Sequence, residues 1–341
     1  MHTTHVLTGA TGLIGAALLL HLAEHTDDEF VCLVRPPGDR LDATLSHAAT
    51  AYAVSPAVLA SALRRTRIVE TDLTTAGELP LRRTGRIEIW HCAAVLNFRR
   101  AAWRSTITTN VRGTRRMLAL ARALDADAFT YLSTAYVAGR TTGPIKEEPA
   151  SPHHARTPYE LSKIAAERLV LDADDLVVRV LRPSVVVGHS ETLAYPGTPS
   201  GAYKIQQLLA AYFRALPPTG HPRLTALPDE PFNLIPINHV VREAHALSLS
   251  HATGIHHLTN PAPPTTGDLL TALLANCGSP PPLYTPHPDP LLHLALGVYV
   301  PFLNNPQRFL RSRTDIATPW TPDQGVLRAM FGGFAGDQRQ A

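Results

Sequence analysis

The chain has 341 residues, of which 45% are hydrophobic and 17% charged. This is ample apolar material for a core, which excludes a disordered or fibrous protein, and at roughly 100–200 residues per domain it allows two domains or one large α/β unit with a lobe. The net charge, 31 basic minus 28 acidic side chains or +3, is too small and too evenly spread to argue for nucleic acid or an anionic membrane as partner.

In chain order, the first strand expected is THVLTG, followed by the helical run LIGAALLLHLAEH. The apolar stretch from Val6 to Ala23 is not read as a signal peptide, because it has no basic start and is interrupted by evenly spaced glycines. EFVCLVR is the second strand, and a helical insertion from Asp42 to Arg65 follows it. TRIVETD, IEIWHCAA, AFTYLST and LVVRVLRPSVVVG continue the strand series, with helical patterns in TNVRGTRRMLALARAL and PYELSKIAAERLVLD between them. These strands are continuous apolar runs, the pattern of burial on both faces of a parallel sheet. Strand–helix alternation then predicts an α/β fold with a Rossmann-type doubly wound parallel sheet.

After residue 190 the alternation breaks down. Only 9 of the 30 prolines precede that point and 21 follow it, clustered at 261–264, 279–282 and 286–290. Such stretches read as rigid loops, since proline fixes φ and removes a donor. PFNLIPINHVVREAHALSL reads as strand then helix, and GIHHLTN as another strand. The expected organisation is therefore a dinucleotide-binding domain of residues 1–190 plus 232–260. A smaller, discontinuous C-terminal substrate lobe comprises 191–231 plus 261–335, and 336–341 form a flexible tail. The apolar run from Leu291 to Leu303 contains a histidine and a proline. At about a dozen residues it falls short of the roughly 20 needed for a membrane span. It and the stretch from Leu193 to Leu216 either line a channel or form the lobe's own core.

The first strand runs into Gly9, Gly12 and Gly15, spaced GxxGxxG at a strand–helix junction. Glycine is required where the turn is tight, where backbone must approach a pyrophosphate, and where helix packs on strand. The helix N-terminus then faces the anionic phosphates. At the end of the second strand stands Arg35, where an acidic residue would select NAD. A guanidinium there pairs with a 2′-phosphate, so NADPH is the expected cofactor, with Arg40 a second candidate. Asp72, closing the third strand, is placed to bond adenine. Ala93 and Ala94, after the fourth, allow backbone to lie close to the cofactor.

Tyr159 and Lys163 are four apart in a helical pattern and share one face. A neighbouring ammonium favours phenolate and is expected to lower the phenol's pKa from its usual value of about 10. Thr134, at the end of the fifth strand, offers a hydroxyl to a carbonyl oxygen. Asn110 either supports a water-linked proton relay or anchors its helix.

These residues carry a resemblance. TGATGLIG, CAA, STAYV, YELSK and LRPSVVVG occur in the order found in extended short-chain dehydrogenases/reductases. More narrowly, VCLVR with its inserted helix, HCAAVLNF, TNVRGT, LSTAYVAG, LIPINHVVREA and IHHLTNP resemble the thioester reductase and fatty acyl-CoA reductase (male sterility-like) branch. Ile237, Asn238 and His239 depart from the Val-Asp-Tyr of that branch. The resemblance implies catalytic roles for Thr134, Tyr159, Lys163 and Asn110. It also implies cofactor contacts from Thr8, Thr11, Leu13 and Ile14 around the glycines, from Leu73 beside Asp72, from Tyr159 and Lys163, and from Pro183, Ser184 and Val186. It further implies reduction of a CoA- or carrier-bound acyl thioester to an aldehyde or alcohol, in secondary or lipid metabolism. An acyl or peptidyl carrier is expected on a separate chain, since no carrier domain with a phosphopantetheine serine is seen. The alternatives are a ketone or aldehyde reductase, a hydroxysteroid dehydrogenase-like enzyme, a sugar-nucleotide epimerase or dehydratase, and a non-catalytic NADP sensor.

The cysteines, Cys32, Cys92 and Cys277, have neither metal-site nor disulfide spacing and read as small buried hydrophobes in a reducing, cytoplasmic protein. The histidine pairs at 153–154 and 256–257 are adjacent rather than i,i+4, so no metal site is expected. His91, His239, Tyr131 and Tyr136 are expected to be packed. A monomer or homodimer is expected.

Overall fold

The computed structural model describes residues 2–74, 81–83 and 85–335. Its centre is a seven-stranded sheet with every neighbouring pair parallel. In chain order its strands are β1 (Thr3–Thr8), β2 (Glu29–Val34), β3 (Thr66–Glu70), β4 (Arg86–His91), β5 (Ala128–Leu132), β6 (Val178–Pro183) and β7 (Gly254–Leu258). They lie in the order β7-β6-β5-β4-β1-β2-β3. The chain winds outward from β1 to β3, then crosses back to β4 and winds the other way. The carboxyl ends of β1 and β4 therefore flank the switch point, where doubly wound sheets open a crevice.

Two cores cover the sheet. On one side helix Leu13–His25 is apolar almost all round, because it is wedged between the sheet and helix Ile237–Leu249. Leu18, Leu19 and Leu22 share a core with Val240, Ala244 and Leu247. On the other side Met117, Leu118, Ala166 and Val170 pack on Val6, Ile89 and Phe129. The sheet also buries charge in pairs: Arg182 donates to Glu167 at 2.9 and 2.7 Å with both side chains enclosed.

Three elements differ from the sequence reading. The insertion after β2 is two helices, Arg40–Ala51 and Pro56–Arg64. Pro56 starts the second one, with the Ser55 hydroxyl capping the Val58 N–H. The long run ending in VVVG is two strands. Pairing in the main sheet ends at Pro183, and Val185–Val187 pairs instead with Leu234–Pro236. Finally, Gln307–Phe309 pairs in parallel with Gly143–Ile145, so a piece of the C-terminal portion lies against the first 190 residues. Residues 336–341, expected as a tail, lie outside the described residues.

The remaining C-terminal helices have a core of their own. Tyr203, Leu209 and Phe213 pack with Leu269, Leu273, Leu292, Leu296 and Phe331. Among the described residues no helix is long and apolar enough to cross a membrane, and no group of three or more His, Cys, Asp or Glu is placed to hold a metal ion.

Candidate active site

A cleft of about 620 Å³ opens at the switch point, between the glycine loop, the ends of β4 to β6 and the lobe segment 195–201. The glycines form its floor for a steric reason. A Cβ on Gly9, which has φ +72°, would stand 2.7 Å from the Ala93 nitrogen; one on Gly15 would stand 2.2 Å from the Gly9 carbonyl oxygen. The Gly12 N–H closes the turn on the Gly9 carbonyl at 2.9 Å. Gly12 then caps helix Leu13–His25 with no side-chain acceptor, and the first turn carries no acid. The helix N-terminus is left open to an anion, and a dinucleotide pyrophosphate fits this cradle.

The loop after β4 is locked to the loop after β1 through His91. Thr114 donates its hydroxyl to the Asn110 carbonyl at 2.7 Å, so it accepts from His91 Nε2 at 3.0 Å. His91 Nδ1 is then the acceptor for the Thr8 hydroxyl at 2.7 Å, and Thr8 Oγ1 accepts the Ala93 N–H at 3.1 Å. Burial, with the Lys163 charge beside it, lowers the His91 pKa to about 3 and keeps the ring neutral. Thr8 thus acts beneath the cleft rather than in its lining.

Helix Pro158–Leu171 delivers the titratable pair. Its start is fixed by a reciprocal capping box between Thr157 and Glu160, and by Arg156, which donates to Glu160 at 2.7 Å. Tyr159 and Lys163 both line the cleft. Lys163 Nζ donates to the Leu132 carbonyl at 2.6 Å and lies 4.6 Å from the Tyr131 ring centre. Burial lowers its pKa to about 8. The Tyr159 phenol is pushed up, not down as expected from Lys163: desolvation raises it, with the Glu160 charge in support. In the cleft as it stands, exclusion of water sets the direction. Thr134 heads the short turn Ala135–Ala138, where its hydroxyl accepts the Tyr136 N–H at 3.3 Å and faces the same cleft.

Of the other residues singled out in the sequence, Thr11, Leu13, Ile14, Ala94, Pro183, Ser184 and Val186 line the cleft. Asn110 does not. It is buried in a π-helical turn, accepting the Val95 N–H at 2.8 Å and donating to the Val95 carbonyl and the Ser162 hydroxyl, so it holds the segment after β4 against the tyrosine's helix. Arg35 and Arg40 are exposed beyond β2. The Asp72 carboxylate accepts the Thr74 N–H and hydroxyl, both at 2.7 Å. Those bonds, with the charges of Arg35 and Arg116 beside it, lower its pKa. Leu73 packs against the core of that side of the sheet.

Several lining residues carried no local signal. Thr44 and His47 come from the inserted helix, Tyr195 to Gly201 from the lobe, and Phe98, Tyr299 and Phe302 from loops and short turns. Tyr136, expected in the core, faces the cleft because the turn after Thr134 directs it there. Ser133 is next to Thr134, lines the cleft, and has a buried hydroxyl without a hydrogen-bond partner.

The profile of an NAD-binding family described as male sterility protein matches residues 7–244. The chain belongs to that family. Its fold is that of the extended short-chain dehydrogenases/reductases. It is 30% identical over 276 residues to an isonitrile lipopeptide synthase of Streptomyces coeruleorubidus, covering 75% of this chain and 18% of that protein. It is 29% identical over 205 residues to a component of the linear gramicidin synthase of Brevibacillus parabrevis, covering 55% of this chain and 4% of that protein. The chain thus spans less than a fifth of the curated relatives it matches. Among solved structures, the terminal R domain of the myxalamid PKS-NRPS pathway superposes with a TM-score of 0.75 at 24% identity, over 98% of this chain and 90% of that one. The reductase domain of the aureusimine cluster gives 0.72 at 18% identity, over 98% and 90% of the two chains. UDP-glucuronic acid 4-epimerase from Bacillus cereus, in complex with NAD, gives 0.65 at 15% identity, over 97% and 98%. The chain is therefore a member of an NAD-binding family with this fold.

Proposed function

We propose that the protein is an NADPH-dependent reductase of an acyl thioester to an aldehyde or, with a second hydride, an alcohol. The observation that carries this is the meeting of Thr134, Tyr159 and Lys163 in one cleft with the glycine loop. The thioester is favoured by the likeness to reductase domains of PKS and NRPS systems, one of them solved as a thiolation-reductase di-domain from an archaeal synthetase. By the same analogy the acyl group rides on a carrier protein or on CoA. The preference for NADPH rests on Arg35, exposed just past the end of β2 where an acidic residue would favour NAD, with Arg40 as the second candidate. Free cysteines at 32, 92 and 277 suit a reducing cytoplasm.

The glycine loop and helix start would hold the pyrophosphate, with Pro183, Ser184 and Val186 along the nicotinamide half. Bound there, the dinucleotide supplies the hydride. Thr134 and Tyr159 donate hydrogen bonds to the substrate carbonyl oxygen, where negative charge develops. Tyr159 then passes its phenolic proton to that oxygen. Lys163, held on the Leu132 carbonyl, would keep a positive charge in the cleft as the phenol loses its proton, and would be placed to bond the ribose of a bound nicotinamide nucleotide. The resulting thiohemiacetal breaks its C–S bond to give aldehyde and free thiol.

The test is NADPH oxidation followed together with thiol release from an acyl thioester. The two should run in proportion, and Tyr159→Phe should remove most turnover while leaving NADPH affinity largely intact. Undiminished turnover in that variant removes the assigned role. A lower Michaelis constant for NADH than for NADPH overturns the cofactor assignment. Ketone or aldehyde reduction without thiol release would leave the simpler carbonyl reductase, which uses the same residues. A non-catalytic sensor is disfavoured because Thr134, Tyr159 and Lys163 are all present.

A further inference from the structure

The cleft beside Tyr159 is walled by aromatic rings from distant parts of the chain. Phe98 follows β4, whereas Tyr299 and Phe302 come from the lobe. The Phe98 ring lies 6.0 Å from that of Tyr159, meets Tyr299 edge-on at 5.8 Å, and stacks on Phe302 at 5.7 Å with 26° between planes. Tyr136 meets Phe302 edge-on at 5.5 Å. These separations are those of interacting aromatic pairs.

The wall is also held rigid. The guanidinium of Arg156 sits 3.9 Å from the centre of the Phe302 ring, and Arg156 is itself fixed on Glu160 with both side chains buried. The aromatic wall itself carries nothing that would pair with a charged acyl group. Among the described residues the charged side chains lining the cleft are Glu160 and Lys163, and both are engaged, by Arg156 and by the Leu132 carbonyl. Amides of a peptide-like acyl group that lay against these ring faces would be unpaired there. A puckered aliphatic group would bury area but make no ring pairs.

We propose that Phe98, Tyr299 and Phe302 form a subsite for acyl groups that carry a flat aromatic or conjugated system near the reacting carbonyl. The proposal rests on Tyr159 as the reacting centre, and it concerns the acyl group rather than what leaves it. It therefore applies to the aldehyde as much as to the thioester.

The probes are the N-acetylcysteamine thioesters of 3-phenylpropanoate and 3-cyclohexylpropanoate, which share a carbonyl environment and a carbon count but differ in ring planarity. Their dissociation constants are measured by calorimetry on the NADPH-loaded Tyr159→Phe protein, and kcat/KM is measured on the native chain for the thioesters and the two matching aldehydes. The phenyl compound should be preferred about fivefold, the worth of one or two ring pairs. Phe98→Leu and Phe302→Leu should each reduce that ratio at least about twofold. A ratio at or below one, or a ratio that neither substitution moves while both variants melt like the native chain, overturns the subsite. If the preference holds in binding and with aldehydes but no thioester is reduced, the subsite stands and the thioester reading falls.

Discussion

Replacing Lys163 by methionine separates what this residue does for stability from what it does for chemistry. Burial lowers its pKa from the usual 10.5 to about 8, which weighs about 3 kcal/mol against the charged form. In the unfolded chain the amine keeps its proton up to about pH 10.5; in the folded chain it releases it near pH 8. The unfolded state therefore binds more protons between these values, and folded stability rises with pH through that window. Methionine removes the penalty but leaves the Leu132 carbonyl, now bonded at 2.6 Å, without its donor, a loss of about 1–3 kcal/mol. It also removes the ammonium beside the Tyr131 ring, worth about 0.5–2 kcal/mol. At pH 7 the two proteins should consequently be close in stability.

The discriminating quantity is the difference between them as pH rises. From pH 7 to pH 9.5 the native chain should gain about 2 kcal/mol on the Lys163→Met variant. Buried tyrosines shift the stability of both proteins alike and cancel in the comparison. Urea denaturation at the two pH values measures it, with turnover assayed in parallel and expected to collapse in the variant. A stability difference that stays constant with pH, or that favours the variant more at pH 9.5, would refute the assignment of a desolvated, charged lysine at this position.

Gly15→Ala places a methyl group 2.2 Å from the Gly9 carbonyl, so the loop must move. NADPH binding, followed by cofactor fluorescence, should weaken at least about tenfold, since the cradle depends on that backbone. Asn110→Ala strips the Val95 N–H and the Ser162 hydroxyl of a buried partner. It should cost about 2–4 kcal/mol in chemical denaturation; a loss of activity without a loss of stability would instead favour a relay role. Arg182→Ala leaves Glu167 charged and enclosed and should cost about 3–5 kcal/mol, whereas Arg182→Met with Glu167→Leu should melt close to the native protein. The native kcat/KM should fall as pH rises through about 8, where Lys163 loses its proton; a flat profile across that range would count against its charge mattering.

The sequence by itself determined the parts whose chemistry is local. Gly9 and Gly15 are legible because a Cβ at either position would stand 2 to 3 Å from neighbouring backbone atoms, so only a residue without one fits. Tyr159 and Lys163 are legible because helical geometry places i and i+4 on one face. The parallel sheet is legible because strands buried on both faces must be apolar along their enclosed length, as β2 is from Phe30 to Val34. The tertiary structure decided what depends on enclosure and on distant pairing. A phenylalanine reads the same in sequence whether it fills a core or walls a cleft, so nothing local joins Phe98 to Phe302 across two hundred residues. Asn110 was compatible with a relay or an anchor until its partners at Val95 and Ser162 were in place. The direction of the Tyr159 shift turns on how much water reaches the phenol, and spacing along a helix says nothing about that.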